Sequence, residues 1–284
     1  MNLRPATAAD VGTLADIWID SAFGPDAPMP EIETAYLAHE VASGTVLIAE
    51  DAGRAIGFGA LITRGSVSNL AELFVRRDVQ SKGAGAALLG RLFAGAAPRL
   101  FTVAAHDPRA LALYVRHGLV PRWPHLYLEA PVADLDVPPS RAVVVSTSWD
   151  DRDWIACDAR LAGRDRSVDH VYFRGPREGM PVWFRVDGRT IGYGAFQRRA
   201  KDMVALGPVG VDDPAFAVPC VLAAAHAARA LRPVVHIQIP GPHPALAPLL
   251  QAGFRIVDQD TFMANPGSDP IDPARYVPSS SEFF

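Results

Sequence analysis

The chain has 284 residues, of which 49% are hydrophobic and 20% are charged, and its formal net charge is −4. These values are typical of a globular protein with room for two cores, and they give no overall attraction to nucleic acid or anionic membranes. No apolar run approaches the length of a membrane span, and the start lacks an apolar signal core. Two cysteines are too few for a disulfide framework or a cysteine zinc site. We therefore expect a cytoplasmic protein with no nucleic-acid or membrane partner and no metal site.

The first part of the chain predicts two helices and then three strands. Apolar residues recur at helical spacing over 11–22, with Thr7 as a candidate N-cap, and a second helix is expected from about 31 to 42 after a proline-rich loop. The segments TVLIAED and AIGFGALITR predict an antiparallel hairpin, and NLAELFV a third strand.

A glycine-containing loop, QSKGAG, follows the third strand and precedes a helix whose apolar residues share one face. Beyond it we expect a strand, RLFTVAA, a short helix from about 108 to 117, and the strands GLVPRW and HLYLEAP. This order predicts an α/β fold with a mixed sheet, antiparallel in front and with a strand–helix–strand unit behind.

The chain also repeats itself at a constant offset. AGRAIGFGA and DGRTIGYGA match in six of nine positions, and their first glycines, Gly53 and Gly188, lie 188 − 53 = 135 residues apart. Gly118 and Gly253 have the same offset, as do Pro98 and Pro233. We therefore expect two copies of one fold, at residues 1–139 and 140–284, with the boundary in VADLDVPPSRAVV.

Three kinds of phosphate site could use the QSKGAG loop. A nucleoside-triphosphate loop requires Lys and then Ser or Thr after the last glycine, but two alanines follow here. A dinucleotide fingerprint requires a glycine where Leu88 stands. The third reading is a glycine turn that lets backbone N–H groups at a helix N-terminus meet the phosphates of another ligand, although such a short motif also fits a plain turn.

The loop resembles the Gln/Arg-x-x-Gly-x-Gly/Ala motif of the GNAT superfamily of acyl-coenzyme A acyltransferases. The element order over residues 1–135 is similar to that of the family, and HDPRALALYVRHGLV resembles a second family pattern, with Asp107 where Asn is usual and Leu119 where Phe is usual. The resemblance implies an acetyl-coenzyme A-dependent N-acetyltransferase built from two tandem GNAT-like domains.

The resemblance also implies the site residues. Backbone N–H groups near Phe74 and Val75 are expected to hold the thioester carbonyl, and Tyr114 stands at the family's general-acid position. Glu72 is our candidate for the base, with His106 as an alternative. The residues expected to bind the coenzyme are Phe74, Val75, Gln80, Ser81, Lys82, Gly83, Ala84, Gly85, Ala86, Asp107, Ala110 and Tyr114.

At the offset of 135, the second copy lacks this chemistry. Glu72 corresponds to Gly207, Tyr114 to Leu249, and the glycine loop to AFAVPC. The second copy is thus expected to be degenerate, and to complete a substrate cleft, to act as an internal partner in a monomer or homodimer, or to stabilise the chain. The acceptor is expected to be an amine of a small molecule or peptide, selected by acids such as Asp20, Asp26, Glu31 and Glu33. A non-catalytic acyl-coenzyme A sensor is the alternative function.

Overall fold

The fold was analysed in a computed structural model, which describes residues 1–23, 34–140, 142–147, 151–200 and 202–283. Thirteen strands in these segments belong to one continuous mixed sheet. The α/β class predicted from the sequence is therefore confirmed.

The first copy follows the predicted order of helices and strands. A short strand, β1, was not predicted, because four residues carry too little pattern to identify it; it pairs with the edge of β2. The elements are β1 (Asn2–Pro5), α1 (Val11–Ala22), α2 (Ala35–Ser43), β2 (Thr45–Asp51), β3 (Arg54–Arg64), β4 (Val67–Val75), α3 (Ala84–Phe93), β5 (Arg99–Ala104), α4 (Pro108–Arg116) and β6 (Val120–Pro131).

The second copy repeats this order after a short strand, which confirms the internal duplication. Its elements are β7 (Val144–Ser146), α5 (Asp151–Leu161), α6 (Ser167–Arg174), β8 (Met180–Val186), β9 (Arg189–Ala200), β10 (Met203–Val211), α7 (Ala217–Ala228), β11 (Val234–Pro240), α8 (Leu246–Gln251), β12 (Arg255–Ala264) and β13 (Tyr276–Val277).

The two copies exchange their last long strands. The sheet order is β1-β2-β3-β4-β5-β12-β6-β11-β10-β9-β8-β7. Strand β12 of the second copy thus lies between β5 and β6 of the first copy, and β6 lies between β12 and β11. Each copy therefore supplies backbone hydrogen-bonding edges that the other copy needs.

Strand β6 corrects one detail of the sequence analysis. We predicted two strands, GLVPRW and HLYLEAP, which are separated by Pro124. The structure has one strand, and its register against β12 shifts between Trp123 and Pro121, which leaves Arg122 as an extra residue. The bulge accommodates the prolines without ending the strand.

Helices cover both faces of the sheet. On one face, α1 and α2 pack on Phe58 and Ile48, and α5 packs on Phe101 and Phe262. On the other face, α3 and α4 form a core around Leu88, while α7 and α8 pack on the second copy's strands. Among the described helices, none is long and apolar enough to cross a membrane.

Buried polar contacts join the two copies between α2 and α6. Asp169 of the second copy accepts a hydrogen bond of 2.9 Å from Nε of Arg64, and Nε2 of His39 lies 2.8 Å from its other carboxylate oxygen. The chain's C-terminal segment ends beside them, where Phe283 packs on His39 and Tyr172. Phe283 therefore docks the C-terminal segment against α2 of the first copy and α6 of the second.

Candidate functional site

The candidate site begins where β4 and β5 separate. These parallel strands pair from Val67 to Leu70, and the last pair joins Leu70 to Thr102. The Thr102 hydroxyl donates a hydrogen bond of 2.8 Å to the Leu70 carbonyl at this branch point. A register shift against β3 leaves Ala71 as an extra residue immediately afterwards. The bulge turns the end of β4 away from β5 and opens a cleft between the two strands.

Beyond the branch point, one edge of β4 has no strand beside it in the described chain. The Arg76 N–H donates to the Ile56 carbonyl of the β2–β3 hairpin, so by alternation the N–H of Phe74 also faces β3. The N–H groups of Leu73 and Val75 must then face the cleft. Sequence analysis assigned the carbonyl-binding N–H to the region of Phe74 and Val75; this alternation favours Leu73 and Val75.

The glycine loop positions the N-terminus of α3 at the same cleft. Gly83 is the N-cap and has φ +95°, a left-handed conformation that favours glycine, and Ser81 has φ +62°. Gln80 donates a hydrogen bond of 3.0 Å from its side chain to the Val75 carbonyl, which ties the loop to β4. The first N–H groups of α3 have no partner within the helix and carry the positive end of its dipole.

A first cavity of about 590 Å³ lies in front of these N–H groups, between α3 and α4. Of the twelve residues expected to bind a coenzyme, nine line it: Val75, Gln80, Ser81, Gly83, Ala84, Gly85, Ala86, Asp107 and Ala110. Lys82 does not line it, because its ammonium group donates to the Asp78 carbonyl at 3.0 Å on the exposed side of the loop. The Lys82 ammonium group was expected to face the ligand, but it is hydrogen-bonded within its own loop.

A second cavity of about 630 Å³ lies in the opening between β4 and β5. It contains both candidate proton-transfer groups, Glu72 and Tyr114, and also His106 and Phe74. The two cavities share the lining residues Ser21, Leu73, Gln80, Asp107, Arg109 and Ala110. A molecule in the first cavity and a molecule in the second could therefore meet at this junction.

Glu72 and Tyr114 are both 6% exposed. Burial raises the pKa of the Glu72 carboxyl well above its ordinary range, and nearby Glu40 and Glu282 raise it further. Burial also raises the pKa of the Tyr114 phenol, and the Glu72 carboxyl raises it further. This environment favours a phenol that keeps its proton at neutral pH and a carboxylate that binds a proton more readily than an exposed one.

Asp107 is held at the junction by its own helix. Its carboxylate caps α4 by accepting the Arg109 N–H at 2.9 Å, and it forms an ion pair of 2.8 Å with the Arg109 guanidinium. The Arg109 side chain lowers the pKa of Asp107, so this carboxylate stays ionised and its charge is balanced by Arg109. The departure from the usual Asn therefore adds an ion pair at the cleft.

The acids expected to select a cationic acceptor are only partly testable. Asp26, Glu31 and Glu33 lie outside the described residues. The Asp20 carboxylate accepts the Arg77 N–H at 2.9 Å, and the Arg77 guanidinium donates to the Asp20 carbonyl and the Ala22 carbonyl. Asp20 thus fixes the end of α1 to the loop after β4.

Seven residues that line the first cavity were missed by the sequence analysis: Ser21, Leu73, Pro108, Arg109, Ala112, Leu113 and Arg116. The alternation along β4 could have identified Leu73, if the bulge at Ala71 had been recognised. The spacing of Arg109 and Arg116 on one helix indicates a shared face. Ser21 gave no signal, because its helix reaches the cleft only through the tertiary fold.

In the second copy, the equivalent opening is filled by the chain itself. Strands β10 and β11 are parallel and last pair at Leu206 and Ile237, as β4 and β5 do at Leu70 and Thr102. Beyond that point β13 pairs with Val209 and Gly210 of β10, and the Val211 N–H donates to the Arg275 carbonyl. The edge that is open on β4 is therefore occupied on β10.

The chain after β13 then runs to strand β4 of the first copy. The Asn69 amide of β4 donates to the carbonyls of Ser281 and Glu282, at 3.3 and 2.9 Å. In the second copy, Arg166 forms a buried ion pair of 2.6 Å with Asp158. Cys157 and Cys220 are both buried and form no disulfide.

Known proteins share this sequence pattern and this architecture. Residues 42–120 match a family profile described as an acetyltransferase (GNAT) domain, whereas a search of curated protein sequences found no match. A tandem GNAT protein from the clavulanic acid biosynthesis pathway is similar in fold, with a TM-score of 0.65 and 16% identity over 94% of this chain and 99% of the other.

Two further solved structures share the fold over nearly the whole chain. A Pyrococcus horikoshii protein described as a candidate acetyltransferase has a TM-score of 0.75 and 17% identity, covering 100% of this chain and 95% of the other. A GCN5-related N-acetyltransferase from Sphaerobacter thermophilus has a TM-score of 0.61 and 16% identity, covering 95% and 98%. Residues 42–120 therefore match a GNAT domain, and the chain as a whole shares the fold of these structures, the tandem GNAT protein included, as the sequence predicted.

Proposed function

We propose that the chain is an N-acetyltransferase that moves an acetyl group from acetyl-coenzyme A directly to a primary amine, with its site in residues 1–139. The observation that carries the proposal is the junction of two cavities at the end of β4. One cavity has anion-binding N–H groups, and the other holds a buried acid and a buried phenol. Such a pair of compartments suits a two-substrate transfer.

The residues of the first cavity fit acetyl-coenzyme A. The α3 N-terminus offers N–H groups to the pyrophosphate, and Gly83 begins this helix in the left-handed conformation that favours glycine. The free edge of β4 can hydrogen-bond the amide groups of the pantetheine arm, as an added strand would. The coenzyme supplies the activated acetyl thioester.

The residues of the second cavity then provide the proton transfers. The N–H groups of Leu73 and Val75 are oriented toward the cleft, where they can stabilise the negative charge that develops on the thioester oxygen. Glu72, directly or through a water molecule, takes the proton from the attacking amine. Tyr114 donates its proton to the thiolate sulfur as the carbon–sulfur bond breaks. The products are the acetylated amine and free coenzyme A.

We propose that the second copy, residues 140–284, has no coenzyme site. Strand β13 takes the place along β10 that the pantetheine arm takes along β4, and neither Gly207 nor Leu249 can transfer a proton. The second copy contributes instead by strand exchange and by the segment that ends beside Asn69.

A free-thiol release assay tests the proposal. The chain is mixed with acetyl-coenzyme A and a panel of polyamines, aminoglycosides, amino acids and peptides. We expect thiol release with at least one amine, and a loss of about 10²-fold or more in kcat for Tyr114→Phe. Tight coenzyme binding without release for any amine would support a non-catalytic sensor instead. Unchanged turnover in Tyr114→Phe would refute the assigned acid.

A further inference from the structure

Helix α4 turns one row of side chains toward the first cavity. Arg109, Ala112, Leu113 and Arg116 all line it, at the spacing of a single helix face. Arg109 is engaged with Asp107 at 2.8 Å. Arg116 forms no hydrogen bond or ion pair with any other residue in the described segments, and its side chain is exposed. It is therefore a free cation in the cavity wall.

The same row orders the cavity from one end to the other. Ala110 lies at the junction with the second cavity, and Leu113 lies opposite Gly85 at the N-terminus of α3. Arg116 follows three residues later. At a rise of about 1.5 Å per residue, it lies about 4.5 Å past Leu113 and about 9 Å past Ala110 along the helix. Arg116 lines only the first cavity, whereas Arg109 and Ala110 line both cavities, so Arg116 lies away from the junction.

The proposed function predicts which part of coenzyme A would lie beside each residue of this row. The thioester belongs at the junction, where the amine arrives, and the pyrophosphate belongs at the N–H groups of α3, opposite Leu113. The remaining anionic group of coenzyme A is the 3′-phosphate of the adenosine ribose, beyond the pyrophosphate. Resting on that function, we propose that Arg116 binds this 3′-phosphate and so selects coenzyme A over its 3′-dephospho form.

The other nearby cations are committed elsewhere. Lys82 donates to the Asp78 carbonyl, and Arg77 donates to the carbonyls of Asp20 and Ala22. Within the described wall of the first cavity, Arg109 and Arg116 are the two cations, and Arg109 already neutralises a carboxylate. A guanidinium suits a phosphate because it can donate two parallel hydrogen bonds.

Calorimetric titration with coenzyme A and with 3′-dephospho-coenzyme A tests the assignment. We expect Arg116→Ala to weaken the binding of coenzyme A about tenfold and to leave the Kd of the dephospho form unchanged. Arg116→Lys should recover part of the loss, since it keeps the charge without the two-bond geometry. Arg91→Ala removes an exposed arginine of α3 outside both cavities, and it should change neither Kd.

Two results would overturn the assignment. Equal weakening of both ligands by Arg116→Ala would place the guanidinium on the pyrophosphate, and no weakening of either would remove it from the site. Failure of the unmodified chain to bind either ligand would instead contradict the proposed function. The two failures are therefore distinguishable.

Discussion

The carboxyl group of Glu40 gives a quantitative test of the acidic interior behind the cleft. Glu40 lies on α2 with 0% exposure, and both of its carboxyl oxygens lack a hydrogen-bond partner. Burial raises its pKa well above the ordinary range, and Glu282 raises it further. The Glu40 carboxylate in turn raises the pKa of the Glu72 carboxyl and of the Tyr36 phenol. We expect Glu40→Gln and Glu40→Met to stabilise the folded chain.

The size of the effect follows from the cost of an unpaired buried polar group, about 1–3 kcal/mol. At pH 8 we expect Glu40→Met to raise the free energy of unfolding by this amount, and Glu40→Gln to raise it by less, because the glutamine amide would also be buried without a partner. For a chain of this size, about 2 °C of Tm accompanies each kcal/mol, so the increase for Glu40→Met should be about 2–6 °C. Glutamine keeps the shape of the side chain, whereas methionine also removes the polar atoms.

The sign of the pH dependence is fixed by the raised pKa. Below about pH 4.3, both the folded and the unfolded chain hold the Glu40 proton, so its titration contributes no difference. At higher pH the unfolded chain releases the proton while the folded chain keeps it, and the unmodified protein loses stability. The advantage of Glu40→Gln should therefore grow with pH until the raised folded-state pKa is passed.

Thermal unfolding followed by circular dichroism from pH 4 to pH 9 measures this advantage. Asp187→Asn, in the exposed turn between β8 and β9, is the matched control and should not change Tm. A Glu40→Gln variant that is less stable than the unmodified chain at pH 8 would refute the reasoning. So would an advantage that does not depend on pH.

Three further predictions concern the site and the exchanged strands. Glu72→Gln should lower kcat about 10²-fold in steady-state assays and leave the Kd of acetyl-coenzyme A unchanged; an equal loss in both would assign Glu72 to coenzyme binding. Gly83→Ala should weaken calorimetric binding of acetyl-coenzyme A about tenfold, because φ +95° strains an alanine, whereas Gly53→Ala, at φ +79° in a distant turn, should not. A chain ending at residue 139 should fail to fold cooperatively, since β12 lies between β5 and β6; a sharp unfolding transition would contradict this.

Local patterns predicted most elements of the first copy. The helical spacing of Leu88 and Leu92 and the alternation in AIGFGALITR reflect burial of one face, which the fold preserves. The repeat offset identified the duplication, because turn glycines such as Gly53 and Gly188 are needed at positive φ in both copies. These signals depend on neighbouring residues and are visible in one sequence.

The features that the sequence did not predict depend on residues far apart in the chain. Strand β6 could pair with strands of its own copy or with the similar strands of the second copy. No local sequence pattern distinguishes these two arrangements. The pairing of β13 with β10 joins residues more than 60 positions apart. The Lys82 side chain points toward the Asp78 carbonyl because of its rotamer, which the sequence does not specify. The division at residue 139 and the roles of Glu72 and Tyr114 stay predictions.

Hydrogen exchange of the chain with and without acetyl-coenzyme A tests the central claim, that one copy of the repeated fold holds the coenzyme. We predict protection by acetyl-coenzyme A in peptides that cover residues 71–75 and 80–86, where the open edge of β4 and the α3 N–H groups lie. Peptides that cover residues 207–220 should exchange at the same rate in both conditions. Protection at 207–220, or none at 71–86, would contradict the account.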